Sequence, residues 1–407
     1  MTIAQRLIPV CLCLLLWGVV CASLGFAATS QPQASPVAAR LCPLRPELEK
    51  ALHRYQGQAD KGEWPKVATG PTLRQGDHGG RVRELRARLV VSGELSAEAG
   101  EGESFDPVLA EALRKFQVRH GLNPDGAAGK STIAALNVPL AERVRQLMVN
   151  LERCQPLPEM LEPRHILVNI ADFSLTVYED GKPVLSMPVI VGRTYRQTPV
   201  LNSVISSVIL NPPWSVPQTI AGKDILDHIK KEPDYLRKHN FRVYRGWSKG
   251  GEEIDPASVD WGKLSPGRMP YRFRQEPGEK NALGRIKFQF PNDYDVYLHD
   301  TPSRNLFTQE SRTFSSGCIR IAKPLDLATY LLKGAKLGEL EALNAAIATG
   351  KTQQVSIPAP IPVHVVYMTA WVDGAGVVQF RSDVYGRDER VAVVASPLKK
   401  QLSSDRQ

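Results

Sequence analysis

Three side chains of this 407-residue sequence have the types and spacing for nucleophilic chemistry. Cys318 sits in the run TFSSGCIRIAKP (residues 313–324), His299 closes the run DVYLH (residues 295–299), and Arg320 follows the cysteine by two positions. A free thiol, with a pKa of about 8.5, is only a few per cent thiolate at neutral pH, so a cysteine nucleophile needs a base. His299 is the candidate base, because a strand ending on it would aim the ring. Ser315, Ser316 and Gly317 have little bulk. They leave room for a carbonyl carbon to reach the sulfur and for backbone N–H groups to face a developing oxyanion. The apolar run after the cysteine predicts a loop-to-helix junction, whose dipole would favour a thiolate.

The supporting roles follow from the same geometry. Tyr297 shares the strand face of His299 and is either an oxyanion donor or a core residue. Arg320 could grip a substrate carboxylate with its forked donors or serve a structural ion pair. The group orienting the imidazole is either Asp300 or a backbone carbonyl. Adjacent strand residues face opposite ways, which favours the carbonyl. Trp214 is a pocket wall or a core residue. One cysteine and one nearby histidine do not fill a tetrahedral shell, so neither metal nor cofactor is expected. With eight histidines in the chain, a His/Cys pair taken by spacing alone is more often structural than catalytic.

These residues need elements to position them. RVRELRARL places Val82, Leu85 and Leu89 on one helical face, and FDPVLAEALRKFQVRHGL does the same with Leu109, Leu113 and Phe116. A turn in NPDGAAGKST leads to a third helix, with Ser131 as candidate cap. Residues 45–60 read as helical, and residues 140–153 as an amphipathic helix through Val144, Leu147, Met148 and Leu151. From residue 165 the period changes to alternation, with a hairpin turn at Asp180-Gly181. A charged helical stretch, KDILDHIKKEPDYLRKHN, interrupts the strands. Strands return in GRIKFQF and YDVYLHD. Two helices follow the cysteine, then IPAPIP as a linker and a terminal hairpin.

The order His299, a loop, then Ser315-Ser316-Gly317-Cys318-Ile319-Arg320 resembles the L,D-transpeptidase (YkuD-type) catalytic domain. Upstream, Thr198-Pro199 and Asn211-Pro212-x-Trp214-x-x-Pro217 also look like that family. Ser316 and Arg320 stand where its commoner signature has His and Asn. The SSGC-x-R form and the NALGR and HDTP elements are similar to its large Gram-negative subfamily, which carries a helical insertion. Residues 72–137, with GD-x-G, FQ…GL and DG…G-x-x-T in order, resemble the peptidoglycan-binding domain type 1.

The resemblance implies a multidomain α+β protein: a mainly-β catalytic domain with a helical insertion, plus a small three-helix peptidoglycan-binding domain. The expected boundaries are 1–27 signal peptide, 28–70 linker and helical segment, 71–139 peptidoglycan-binding unit, and 140–160 connecting helix. The catalytic domain is expected at 161–340, with a lid at about 218–285, and 341–407 as helix, Pro-rich linker and hairpin. It also implies peptidoglycan stem peptides as substrate, 3→3 cross-linking with release of D-alanine, and acylation of Cys318 by carbapenems. Other cell-wall synthesis proteins are possible partners on this reading. Hydrolysis by the same thiol and non-catalytic wall binding stay open. A sortase fits less well, because its TLxTC-type strand is absent.

The charge balance favours an acidic partner: nucleic acid, anionic lipid or a carboxylate-rich polymer. The formal charge is +9, with 51 Lys and Arg against 42 Asp and Glu, and no nucleic-acid signature is present. Arg6, the apolar run 7–26 and Gly25-Phe26-Ala27 read as a secretory signal leading to the periplasm; an uncleaved membrane anchor is the alternative. Of the six cysteines, three fall in that segment. Cys42 and Cys154 are then either paired or both free, beside a free Cys318.

Overall fold

The computed structural model describes residues 45–154, 161–248 and 250–391. The proposed signal, Cys42 and the last residues therefore lie outside the described residues, and so does the Cys42–Cys154 pairing. Helices come first in the chain: α1 (Arg45–Ala59), α2 (Gly80–Ser92), α3 (Pro107–Arg119), α4 (Lys130–Leu136) and α5 (Leu140–Arg153). The apolar stripes of α2 and α3 meet as their spacing requires. Val82, Leu85, Leu89, Leu109, Leu113 and Phe116 are fully buried in one small core. Asp106 caps α3 by accepting from the Leu109 N–H, ahead of a proline at the first turn. The expected cap Ser131 lies inside α4 instead; Gly129 holds the cap position. Helix α5 packs on α1 and on the C-terminal hairpin.

Alternating segments then build one sheet from β1 (Arg164–Asn169), β2 (Ser174–Glu179), β3 (Lys182–Gly192) and β4 (Leu201–Leu210) with later strands. The β2–β3 turn uses Asp180 and Gly181, both at positive φ, the conformation a tight hairpin needs. The insertion follows: β5 (Trp214–Ser215), α6 (Gln218–Ile220), a π-turn at Ala221–Ile225, α7 (Leu226–Lys231), α8 (Tyr235–Lys238), β6 (Phe241–Arg245), β7 (Glu253–Ile254) and β8 (Tyr271–Gln275). It is not purely helical as expected. Its strands pair in the order β5-β8-β6-β7 around a separate apolar core. The FRVYR and YRFRQ segments alternate, which suits a two-faced strand and not a helix.

The main sheet resumes with β9 (Ile286–Gln289), β10 (Leu298–His299), β11 (Thr313–Ser315) and β12 (Ile319–Ile321). Helices α9 (Pro324–Leu331) and α10 (Leu340–Ala348) follow, then β13 (Gln353–Val366) and the hairpin β14 (Ala370–Val372) and β15 (Val378–Phe380). The order is β11-β3-β12-β10-β9-β4-β13-β1-β2, and a further β2–β3 pairing closes eight of these strands on themselves. The expected IPAPIP linker is part of β13, which runs between β4 and β1. Pro358 and Pro360 lie in an irregularity of the β4 pairing between Ser356 and Ile361, so their missing N–H groups break no ladder bond there. The main sheet thus takes a strand from beyond residue 340. Among the described residues no helix is long and apolar enough to cross a membrane.

Candidate active site

Strand register gathers the site. On one face, Ile286, Phe288, Leu298, Ile319 and Ile321 are buried in the main core. The alternate residues point the other way. His299 pairs with Lys287 on β9 and with Arg320 on β12, so Lys287, His299 and Arg320 form one row across three strands. Two residues earlier on the same two chain segments stand Tyr297 and Cys318, and the Ile319 N–H donates to the Tyr297 carbonyl at 3.1 Å. Tyr297 and His299 have ring centroids 5.6 Å apart. Four residues expected at the site, separated by up to 23 positions, therefore share one face.

The cysteine turn differs from the expectation. Cys318 lies between β11 and β12, and the next helix begins only at Pro324. No helix dipole acts on the thiol, because the residues after it continue as strand. Gly317 takes φ of 117°, a conformation that favours glycine, and Ser315 braces the turn. The Ser315 hydroxyl donates to the Cys318 carbonyl at 2.5 Å and accepts from the Gly317 N–H at 3.1 Å. Ser315 and the Gly317 N–H, expected to face substrate, are thus engaged inside the turn. A buried Thr198 ties the same turn down, donating to the Gly317 carbonyl at 2.8 Å and accepting from the Gly192 N–H at 2.9 Å. Tyr385, from the C-terminal segment, accepts from the Thr198 N–H and donates to the Gly192 carbonyl. No spacing in the sequence pointed to this brace.

Around the sulfur, the thiol donates to the Asp295 carbonyl at 3.8 Å, a long contact. The Tyr297 hydroxyl and backbone N–H both donate to the sulfur, and the Trp214 indole lies within hydrogen-bond reach of the Tyr297 hydroxyl. Burial pushes the Cys318 thiol up, opposed by Tyr297, Lys287 and Arg320. Burial likewise drives the Tyr297 hydroxyl well up, so it stays protonated as a donor.

His299 is buried, and its Nδ1 lies 2.5 Å from the main-chain carbonyl of Asp300. That carbonyl orients the ring. The Asp300 carboxylate does not: it accepts from the Arg285 N–H at 2.9 Å and from Arg304 at 3.1 Å, on the opposite side. With the single proton of a neutral ring on Nδ1, Nε2 is left as base. Burial, then Arg320, push the imidazole down to about 3. Among the described residues no hydrogen bond joins the imidazole to the thiol. Such contacts commonly tighten only when substrate arrives.

Lys287 escaped the sequence reading. Its Nζ lies 3.8 Å from the Tyr297 ring centroid, and burial lowers its basicity. The available signal was the alternation Ile-Lys-Phe-Gln in β9, which puts Lys287 on the non-core face beside DVYLH.

Ser316 plays a different part. Arg196 donates to its hydroxyl at 3.0 Å while also pairing with Asp224 in the π-turn of the insertion. One guanidinium thus fastens the insertion to the cysteine turn. Asp224→Ala should release it. The expected outcome is about fivefold faster amide exchange in the insertion, from loss of about 1 kcal/mol of closure. Hydrogen-exchange mass spectrometry checks this.

Comparison with known proteins follows the same division. Residues 163–340 match the L,D-transpeptidase catalytic domain family, and residues 78–136 match the family described as "Putative peptidoglycan binding domain". Residues 163–340 are thus similar to L,D-transpeptidase catalytic domains. A protein of Haemophilus influenzae described as "Putative L,D-transpeptidase" is 38% identical over 247 residues, covering 61% of this chain and 49% of that protein. The chain thus spans about half the length of that relative. The Mycobacterium tuberculosis N-acetylmuramoyl-L-alanine amidase CwlM is 38% identical over 80 residues, 18% of this chain and 20% of that protein. The crystal structure of an L,D-transpeptidase from Stackebrandtia nassauensis shares 16% identity, covers 74% of this chain and 96% of its own, and has a TM-score of 0.27. Within the matched residues 163–340, Cys318, His299, Tyr297 and Arg320 stand on one face of the sheet and Ser316 holds the insertion.

Proposed function

We propose that this chain is a periplasmic cysteine L,D-transpeptidase that joins peptidoglycan stems by 3→3 cross-links. The observation that carries this reading is the shared face of Cys318, His299, Tyr297 and Arg320 within the matched catalytic domain.

The chemistry uses those residues in order. His299 accepts the thiol proton as Cys318 attacks the carbonyl of the third residue of a tetrapeptide stem. Tyr297 donates to the oxyanion that forms. The carbon–nitrogen bond breaks, the carbon–sulfur bond remains, and D-alanine leaves with the proton from His299. The side-chain amine of a diaminopimelate in a second stem then attacks the thioester. Its proton passes through His299 to the departing thiolate. Arg320 holds a stem carboxylate. The insertion, fastened through Arg196, excludes water that would divert the acyl group. The three-helix unit binds the wall polymer and raises the local concentration of stems. Carbapenems should acylate Cys318 by the same attack.

Mass spectrometry of residues 28–407 incubated with disaccharide-tetrapeptide tests the proposal. A cross-linked dimer lacking one D-alanine is expected. Tripeptide alone would assign the thiol to a carboxypeptidase, and no product would leave a wall-binding protein.

A further inference from the structure

The row Lys287–His299–Arg320 places a cation on each side of the imidazole. Adjacent strands lie about 4.8 Å apart, so the two cationic residues start roughly 10 Å from each other across His299, within reach of one small anion. Neither makes an ion pair or side-chain hydrogen bond among the described residues, and the Nε of Arg320 is buried without a partner. Lys287 instead rests over the Tyr297 ring. Two half-buried cations without a salt-bridge partner among the described residues, helped only at a distance by the Cys318 sulfur and, for Lys287, by Asp295, are costly unless an anion comes to them.

The other groups near His299 do not supply that anion. Tyr297 is held neutral, Arg193 adds positive charge beside Arg320, and the Asp300 carboxylate is turned toward Arg285 and Arg304. Asp295 offers its carbonyl to the thiol, and its carboxylate favours the charged Lys287 only from a distance, with no salt bridge between them among the described residues. Leu283 contributes a carbonyl beside the ring.

We propose that Lys287 and Arg320 form a two-cation clamp for the terminal carboxylate of the donor peptide, the carboxylate of the residue that leaves. This rests on the acyl-transfer reading, in which that residue's nitrogen must meet His299. Its carboxylate is one carbon removed from that nitrogen, which places it beside the row.

The clamp gives His299 two states. With the clamp empty, the cations oppose a positive ring and the imidazole stays neutral. An occupied clamp cancels their charge, so the ring can take the thiol proton and pass it to the leaving nitrogen. When the residue departs with its carboxylate, the ring returns to a neutral base for the incoming amine. Thiol and amine protons balance over the cycle, and no further reactant is needed.

The test uses the full chain and N-acetyl-D-alanine as probe, with N-acetyl-D-alaninamide as its neutral counterpart. The readout is direct binding by titration calorimetry, because an occupied clamp both covers the sulfur and activates it. The acid should bind and the amide should not. Lys287→Met should weaken the affinity for the acid by about 10- to 100-fold, and Lys287→Arg should restore most of it. Binding that is absent in the wild type, equal for the amide, or unchanged in Lys287→Met would overturn the clamp. Thermal melting separates these results from unfolding. Binding of the acid without any cross-linked product would refute the transfer reading and leave the clamp standing; product without binding would do the reverse.

Discussion

Cys318→Ala is expected to remove cross-linked dimer and tripeptide alike, lowering turnover on the order of 10⁴-fold or more. The sulfur is the only group of the site that can hold the acyl chain between donor and acceptor. Tyr297 and Arg320 would still bind stems, so affinity for the tetrapeptide should change little. Stability should fall only modestly, because Cys318 is half-buried and its bond to the Asp295 carbonyl is long, at 3.8 Å, although the Tyr297 donors lose the sulfur as acceptor. Cys318→Ser is the sharper variant. Its hydroxyl keeps the shape, but it is a far weaker acid than a thiol and the buried imidazole would be a poor base for it. Intact-mass measurement should show an acyl-enzyme in the wild type and none in either variant. An acyl-enzyme on the alanine variant would displace Cys318 from the mechanism.

Much of this site could be read from local pattern. Alternation in DVYLH put Tyr297 and His299 on one face, and the glycine before Cys318 marked a turn. What local pattern lacks is register. Lys287 lies 12 positions before His299, and nothing in either segment says that β9 and β10 pair with those residues opposed. The same gap explains the cysteine turn. Ser315 and the Gly317 N–H looked available for an oxyanion because their partners, each other and the Cys318 carbonyl, exist only once the chain folds back.

The C-terminal segment shows a second limit. Three prolines in six residues read as a linker, since proline removes ladder donors. An irregularity in the β4 pairing accommodates two of them, and the strand continues to Val366. Tyr385 then reaches the Thr198 brace. Long-range closure of the sheet overrode a local composition signal.

The pH profile of acylation separates the buried histidine of this site from an ordinary one. An imidazole near 6.5 would lose its base form between pH 7 and 5. Here burial and Arg320 hold the free-enzyme ring down to about 3, so the neutral form persists into acid. kcat/KM for a single acylation should therefore stay level from neutral pH to below about 5, because that parameter reports the free enzyme. kcat reports the complex, and an occupied clamp makes the ring more basic, so its acid limb should lie at higher pH than that of kcat/KM. His299→Gln should reduce acylation by about 10²- to 10⁴-fold and remove both limbs. Stability carries the opposite signature. Below about 6.5 the unfolded chain takes up a proton that the native ring refuses, so His299 contributes to a loss of stability as pH falls from about 6.5 toward 3. His120 and His165, also lowered by burial, add to this loss. His299→Gln should therefore melt with a weaker acid dependence than the wild type while being nearly inactive. A wild-type kcat/KM that halves near pH 6.5 would show that the ring is not held neutral by its surroundings.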